Sequence, residues 1–287
     1  MRRETADAAR GLERTLRERA APVGLPRYYA LLFAPAEVRP ALTALYAFDA
    51  EIRAAVHPGT EHAAAHLKLT WWREEIERLA RGKPVHPIGR ALHAAAEPLG
   101  LEITGLADYL VAAEHDLSAR SIVDDDEFMG YLQRGGGLLQ QLAASFAQPS
   151  LDRRSDTRRF GGSLGRGLRL VEILRGVRSH ATAGRVRLPE SRLQACNVSA
   201  TELAADTLSP KTLALLSACA TQAQALITDA LDLRMVDRPR QRAGIVLGTL
   251  ALATLKRMRS GGFTPQSSTA DGGLSQLWRA WRAARGA

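Results

Sequence analysis

The sequence predicts an all-α fold, and three observations lead to it. Ala, Leu, Arg and Glu dominate the 287 residues while aromatics make up only 5%, a composition rich in good helix formers. Apolar residues recur at helical spacing in segment after segment, and no stretch alternates with period two for long enough to make a strand. The breaks between these segments are short and carry Pro, Gly or Asx residues. No internal repeat divides the chain. The reading is one helical domain over 1–259, a Gly/Ser/Thr/Pro linker over 260–273, and an amphipathic helix over 274–287.

The N-terminal stretch reads as a surface helix, and Pro22, Pro26 and Pro35 punctuate the residues after it. Val38, Leu42, Leu45, Tyr46, Phe48, Ile52 and Val56 then mark a buried helix. Further helical patterns cover 61–81, 87–99, 104–119, 125–146, 158–178, 201–204, 210–233 and 238–259. The acidic run Asp124, Asp125, Asp126 and Glu127 directly precedes an apolar-periodic segment, so it reads as a helix cap that satisfies free N–H groups and favours the helix dipole, not as a metal cluster. In the last segment Leu274, Leu277, Trp278 and Trp281 fall at i, i+3, i+4 and i+7, with arginines on another face. Docking of this Trp face on the core is the expected arrangement, and an interfacial membrane helix is the alternative.

The formal charge of +9 and isoelectric point near 10.2 attract polyanions in general. Here the arginines are scattered among Asp and Glu and no recognition motif accompanies them, so no nucleic-acid partner is expected. Cys196 and Cys219 are too few for a disulfide framework, which fits a reducing compartment. The start of the chain lacks an apolar signal-peptide core, and the longest apolar run, 244–255, falls short of the ~20 residues that span a bilayer. The expected location is cytoplasmic, with a peripheral position at the inner membrane left open.

From Arg27 the chain reads RYYALLFAPAEVRPALTALYAF. WWREEI at Trp71, HPIGRAL at His86, EHDLSAR at Glu114, YLQRGGGLLQQL at Tyr131, RLVEILRGV at Arg169 and GRVRLPESRL at Gly184 come after it in order. In sequence and spacing these segments resemble the squalene/phytoene synthase family. The resemblance implies an isoprenoid-synthase (terpenoid synthase) helical bundle around a central apolar cavity, lined here by Tyr46, Phe48, Gly136 and Leu139. It also implies a prenyltransferase that condenses two prenyl diphosphates head to head, with Mg²⁺ held by aspartate motifs on two facing helices.

Both motifs are missing. The first aligns with Arg53, Ala54, Ala55, Val56 and His57, and the second runs from Glu172 through Arg175, Gly176 and Arg178 to His180. Mg²⁺ prefers oxygen ligands in octahedral geometry and is usually bound through carboxylates and substrate phosphates, so no metal or other cofactor is expected unless the protein is an active transferase. Two readings of these residues stay open. In one, Arg53, His57, Arg134, Glu172, Arg175, Arg178 and His180 form a metal-free site for the anionic head of a prenyl or lipid ligand. In the other, the cations fill an unused site and pair with Asp49, Glu51 or Glu172. The absent aspartates also resemble the branch of the family that includes a mitochondrial complex I assembly factor, which implies an assembly role with an unidentified protein partner. No catalytic residue is assigned.

Overall fold

A computed structural model describes residues 11, 13–57, 59–103, 105–118, 120–148, 153–233, 237–264 and 273–287, and among them there are helices and connections but no strand. Pro26 opens α1 (Pro26–Phe33) and Pro40 sits in the first turn of α2 (Arg39–Ala55), where a fixed φ and a missing N–H cost the helix nothing. α2 is buried along most of its length, including Leu42, Leu45, Tyr46, Phe48 and Ile52. Around it pack α1, α3 (His62–Ala80), α4 (Pro87–Ala96) and α5 (Leu106–Leu117). These helices share one apolar cluster.

The second cluster is built on α8 (Arg154–Arg175), which packs against α7 (Leu138–Ala147), α12 (Pro210–Leu231) and α13 (Arg242–Ser260). Three short helices, α9 (Val177–Thr182), α10 (Glu190–Ala195) and α11 (Ala200–Ala204), connect α8 to α12. α2 and α8 therefore stand on opposite sides of the space between the clusters. α14 (Gly273–Arg285) returns to pack on α1 and α13. Most of the 260–273 linker lies outside the described residues.

Two departures from the sequence reading have local causes. The expected helix over 125–146 is divided into α6 (Asp125–Leu132) and α7 by a π-turn at Gln133–Gly137, while Asp124 caps α6 as expected through a 2.9 Å bond from the Glu127 N–H to its Oδ1. The glycines of the π-turn let two backbones touch. A Cβ on Gly165 of α8 would lie 2.2 Å from the Gly136 carbonyl oxygen, and a Cβ on Gly136 would lie 2.4 Å from the Gly165 carbonyl oxygen.

The second departure is α14. Its buried side chains are Gln276, Ala280 and Ala284, whereas Leu274, Trp278 and Trp281 are 84%, 55% and 43% exposed. The helix docks through small residues, which allow close approach to α1 and α13, and its Trp face points outward. The expected docking of that face is corrected.

The backbone contact at the π-turn leaves no room for a methyl group. Gly165→Ala is expected to lower the urea unfolding midpoint, equivalent to about 2 kcal/mol or more of overpacking, with the circular-dichroism spectrum retained below the transition.

Candidate functional site

A cavity of about 450 Å³ opens between the two halves of the fold, within the roughly 300–1,000 Å³ typical of small-molecule sites. α8 supplies Gly165, Leu168, Val171 and Glu172, and α13 supplies Leu247 and Ala251. Gly136 and Leu139 close it beside α8, Pro22 and Leu25 lie at its α1 side, and Arg27, Arg53, Arg169 and Arg175 gather at its polar end. The lining thus pairs an apolar wall with an arginine-rich end.

The polar end is organised by ion pairs. Asp49 is completely buried on α2, and the Arg53 Nε donates to both of its oxygens at 2.8 Å. Arg27 of α1 pairs with the same carboxylate, and the Tyr109 hydroxyl of α5 donates to it. Arg53 then reaches across the cavity, its Nη1 2.7 Å from Glu172 Oε2 on α8. Arg169, one turn earlier on α8, donates to the same Glu172 oxygen at 3.3 Å and pairs with Asp116 of α5. Arg187 pairs with Asp116 as well and donates to its backbone carbonyl at 2.9 Å, while Tyr131 accepts from Arg187 at 3.2 Å.

Four guanidiniums therefore meet three carboxylates. Burial alone would raise the pKa of Asp49, but Arg27 and Arg53 outweigh it and hold the carboxyl well below its ordinary value. Glu172 is likewise lowered, its burial being outweighed by Arg53 and Arg169. Burial and the neighbouring Asp49 raise the Tyr109 phenol, which stays protonated as a donor.

The residues singled out in the sequence divide into two groups. Arg53, Glu172, Arg175, Gly136 and Leu139 line the cavity. Tyr46 and Phe48 do not: Phe48 is turned to the other side of α2, edge-on to Trp72 with ring centroids 5.1 Å apart, and Tyr46 lies beneath Arg27 with its ring 4.8 Å from the guanidinium. His57 is exposed beyond the end of α2, whose C-cap is Val56. His180 lies in α9, and the i, i+4 relation of Gly176 and His180 holds across the junction with α8, the His180 N–H donating to the Gly176 carbonyl at 2.8 Å. Its ring folds back over Gly176, and burial with Arg169 and Arg185 lowers its pKa, leaving it neutral near pH 7. Arg178 pairs with the exposed Asp206, and Arg134 turns back toward Gly130. Glu51, offered as a partner for Arg53, pairs with Arg19 and Lys68 instead. Arg27, Tyr109, Asp116, Tyr131, Arg169 and Arg187 were not singled out, although all but Tyr109 fall within the segments that carried the resemblance.

The squalene/phytoene synthase family profile matches residues 21–277. The chain belongs to this family. Phytoene synthases of Mycobacterium tuberculosis and Mycobacterium bovis are 28% identical to it over 171 residues, a stretch that covers 60% of this chain and 55% of theirs. The aligned region thus spans little more than half the length of those relatives. The fold is similar to that of a dehydrosqualene synthase crystallised with a ligand, with a TM-score of 0.80 at 17% identity over 90% of this chain and 89% of that one. Squalene synthase HpnC from Alicyclobacillus acidocaldarius gives a TM-score of 0.74 at 18% identity, over 90% of this chain and 94% of its own. These likenesses establish the isoprenoid-synthase fold expected from the sequence.

Because the Asp49 and Glu172 pKa values are depressed, their stabilisation is present above the unfolded-state values of roughly 4 and is lost as pH falls through the folded ones. Stability measured by urea unfolding is expected to be flat near neutrality and to fall below about pH 5. Asp49→Asn is expected to cost about 3 kcal/mol at pH 7, since it leaves Arg27 and Arg53 short of a buried counter-charge, and to flatten the acid slope.

Proposed function

We propose that this member of the squalene/phytoene synthase family is non-catalytic or magnesium-independent and binds a prenyl or other lipid ligand, its anionic head toward the arginine end of the cavity. The observation that carries this reading is the Arg53–Glu172 pair across the cavity. At the first motif Arg53 replaces an acid, and at the second the acidic Glu172 is bridged by Arg53 and Arg169. Among the described residues no group of three or more His, Cys, Asp or Glu side chains is placed to hold a metal ion. This donor set does not suit a hard divalent cation, which needs several free oxygens.

An anionic head group suits it better. Arg27, Arg53, Arg169 and Arg187 meet Asp49, Asp116 and Glu172, which leaves one guanidinium charge in excess, and guanidiniums bind carboxylate or phosphate through charge-assisted, frequently bidentate hydrogen bonds. Gly136, Leu139, Leu168, Val171, Leu247 and Ala251 supply the apolar surface that a hydrocarbon chain would cover. An assembly role, in which the loaded or empty cavity supports a protein partner, is compatible with the same chemistry.

Purified protein incubated with Mg²⁺ and farnesyl or geranylgeranyl diphosphate is expected to form no head-to-head product. Calorimetry is expected to show prenyl diphosphate binding that is unchanged by a chelator. Ala251→Phe, which fills the apolar end, is expected to weaken that binding by more than about tenfold, or 1.4 kcal/mol. A condensed hydrocarbon product would instead establish the second reading, an active transferase, which the likeness to phytoene synthases favours.

A further inference from the structure

We infer that α14 is an interfacial docking helix whose outward Leu/Trp face seats the protein on an anionic phospholipid bilayer. The inference stands apart from the cavity. α14 is held to the body of the protein by Gln276, Ala280 and Ala284, all buried against α1 and α13. That attachment leaves Leu274, Trp278 and Trp281 turned to solvent and Leu277 at their flank, each more than a third exposed. Two tryptophans and a leucine on one solvent-facing stripe of a thirteen-residue helix, with a second leucine beside them, form a contiguous apolar face, which marks an interaction site.

The charges around this face select its partner. Residues 273–287 contain three arginines, Arg279, Arg282 and Arg285, and no acid. Arg282 and Arg285 lie over the rings of Trp278 and Trp281, at 4.7 and 4.8 Å from the ring centroids. Each tryptophan therefore carries a cation beside its ring, at the edge of the apolar stripe. Trp rings favour the headgroup level of a bilayer, and arginines beside them meet lipid phosphates there. A second copy of the chain is a poorer fit, because pairing two such helices would bring like-charged arginine rows together with no acid on either helix to offset them. Among the described residues no helix is long and apolar enough to cross a membrane, so attachment through this face would be peripheral.

Flotation with vesicles of phosphatidylcholine alone, or mixed with phosphatidylglycerol, tests the inference on the full chain. The wild type is expected to float with the mixed vesicles, to remain unbound with phosphatidylcholine alone, and to release as salt rises. Trp278→Ala combined with Trp281→Ala is expected to abolish flotation while leaving the circular-dichroism spectrum and urea midpoint unchanged, because neither side chain supports the docked face of the helix. Arg282→Gln combined with Arg285→Gln is expected to weaken binding about twenty-five-fold, each arginine near an anionic surface contributing a factor of about five. Failure of the wild type to float with the mixed vesicles, or equal flotation by the tryptophan variant, would overturn the inference. So would self-association in sedimentation experiments that the tryptophan substitutions remove, since the face would then serve a second copy.

Discussion

A carboxylate with no access to water, Asp49, sits within α2, and the surrounding structure is arranged to accommodate it. An unpaired charge in that position would be expelled or neutralised. Here Arg27, Arg53 and Tyr109 surround it, which ties α1 and α5 to α2. Because Arg53 also reaches Glu172, and Arg169 continues to Asp116, the same chain of charges links α2 to α8 and α8 back to α5. Apolar packing builds each of the two clusters, and the ion pairs set how the two walls of the cavity face one another. Asp49 and Glu172 are each held by partners from more than one helix, so the polar end of the cavity is fixed in place before any ligand arrives.

This arrangement changes the meaning of the basic composition. Scattered arginines and a high isoelectric point look like a solvated, general-purpose surface. Arg169 and Arg187 are in fact buried, and Arg27 and Arg53 are partly so. Part of the positive charge is thus interior and structural. Linear sequence cannot show this, because the partners lie far away along the chain: Arg53 and Glu172 are 119 residues apart.

The helices were legible because their apolar spacing is regular, and the fold because its segments keep the family's order. What could not be read were the places where a helix stops. α2 ends at Ala55, so Arg53 and His57, which would share a face on an uninterrupted helix, do not share one here. The i, i+4 rule places residues only while the helix continues. The π-turn at Gln133–Gly137 is similar: nothing local to its three consecutive glycines says that they meet the backbone at Gly165. In α14 the amphipathic stripe was plain, yet small residues outcompeted tryptophans for the core because they permit tighter contact with α1 and α13.

The shared position of Arg53 also decides what an acid in its place would do. An acid restored at residue 53 would stand beside Asp49 and opposite Glu172, gathering three carboxylates where a cation now joins two, and like charges so close resist joint ionisation. Restoring an acid at residue 176 or 180 alone would leave Arg53 and Arg169 still bridging Glu172. An acid at residue 53 therefore disturbs the pairing that holds the helices together, whereas one at residue 176 or 180 leaves Glu172 occupied by its arginines. Asp49 and Glu172 thus share one cation, and the two walls of the cavity depend on the same side chain.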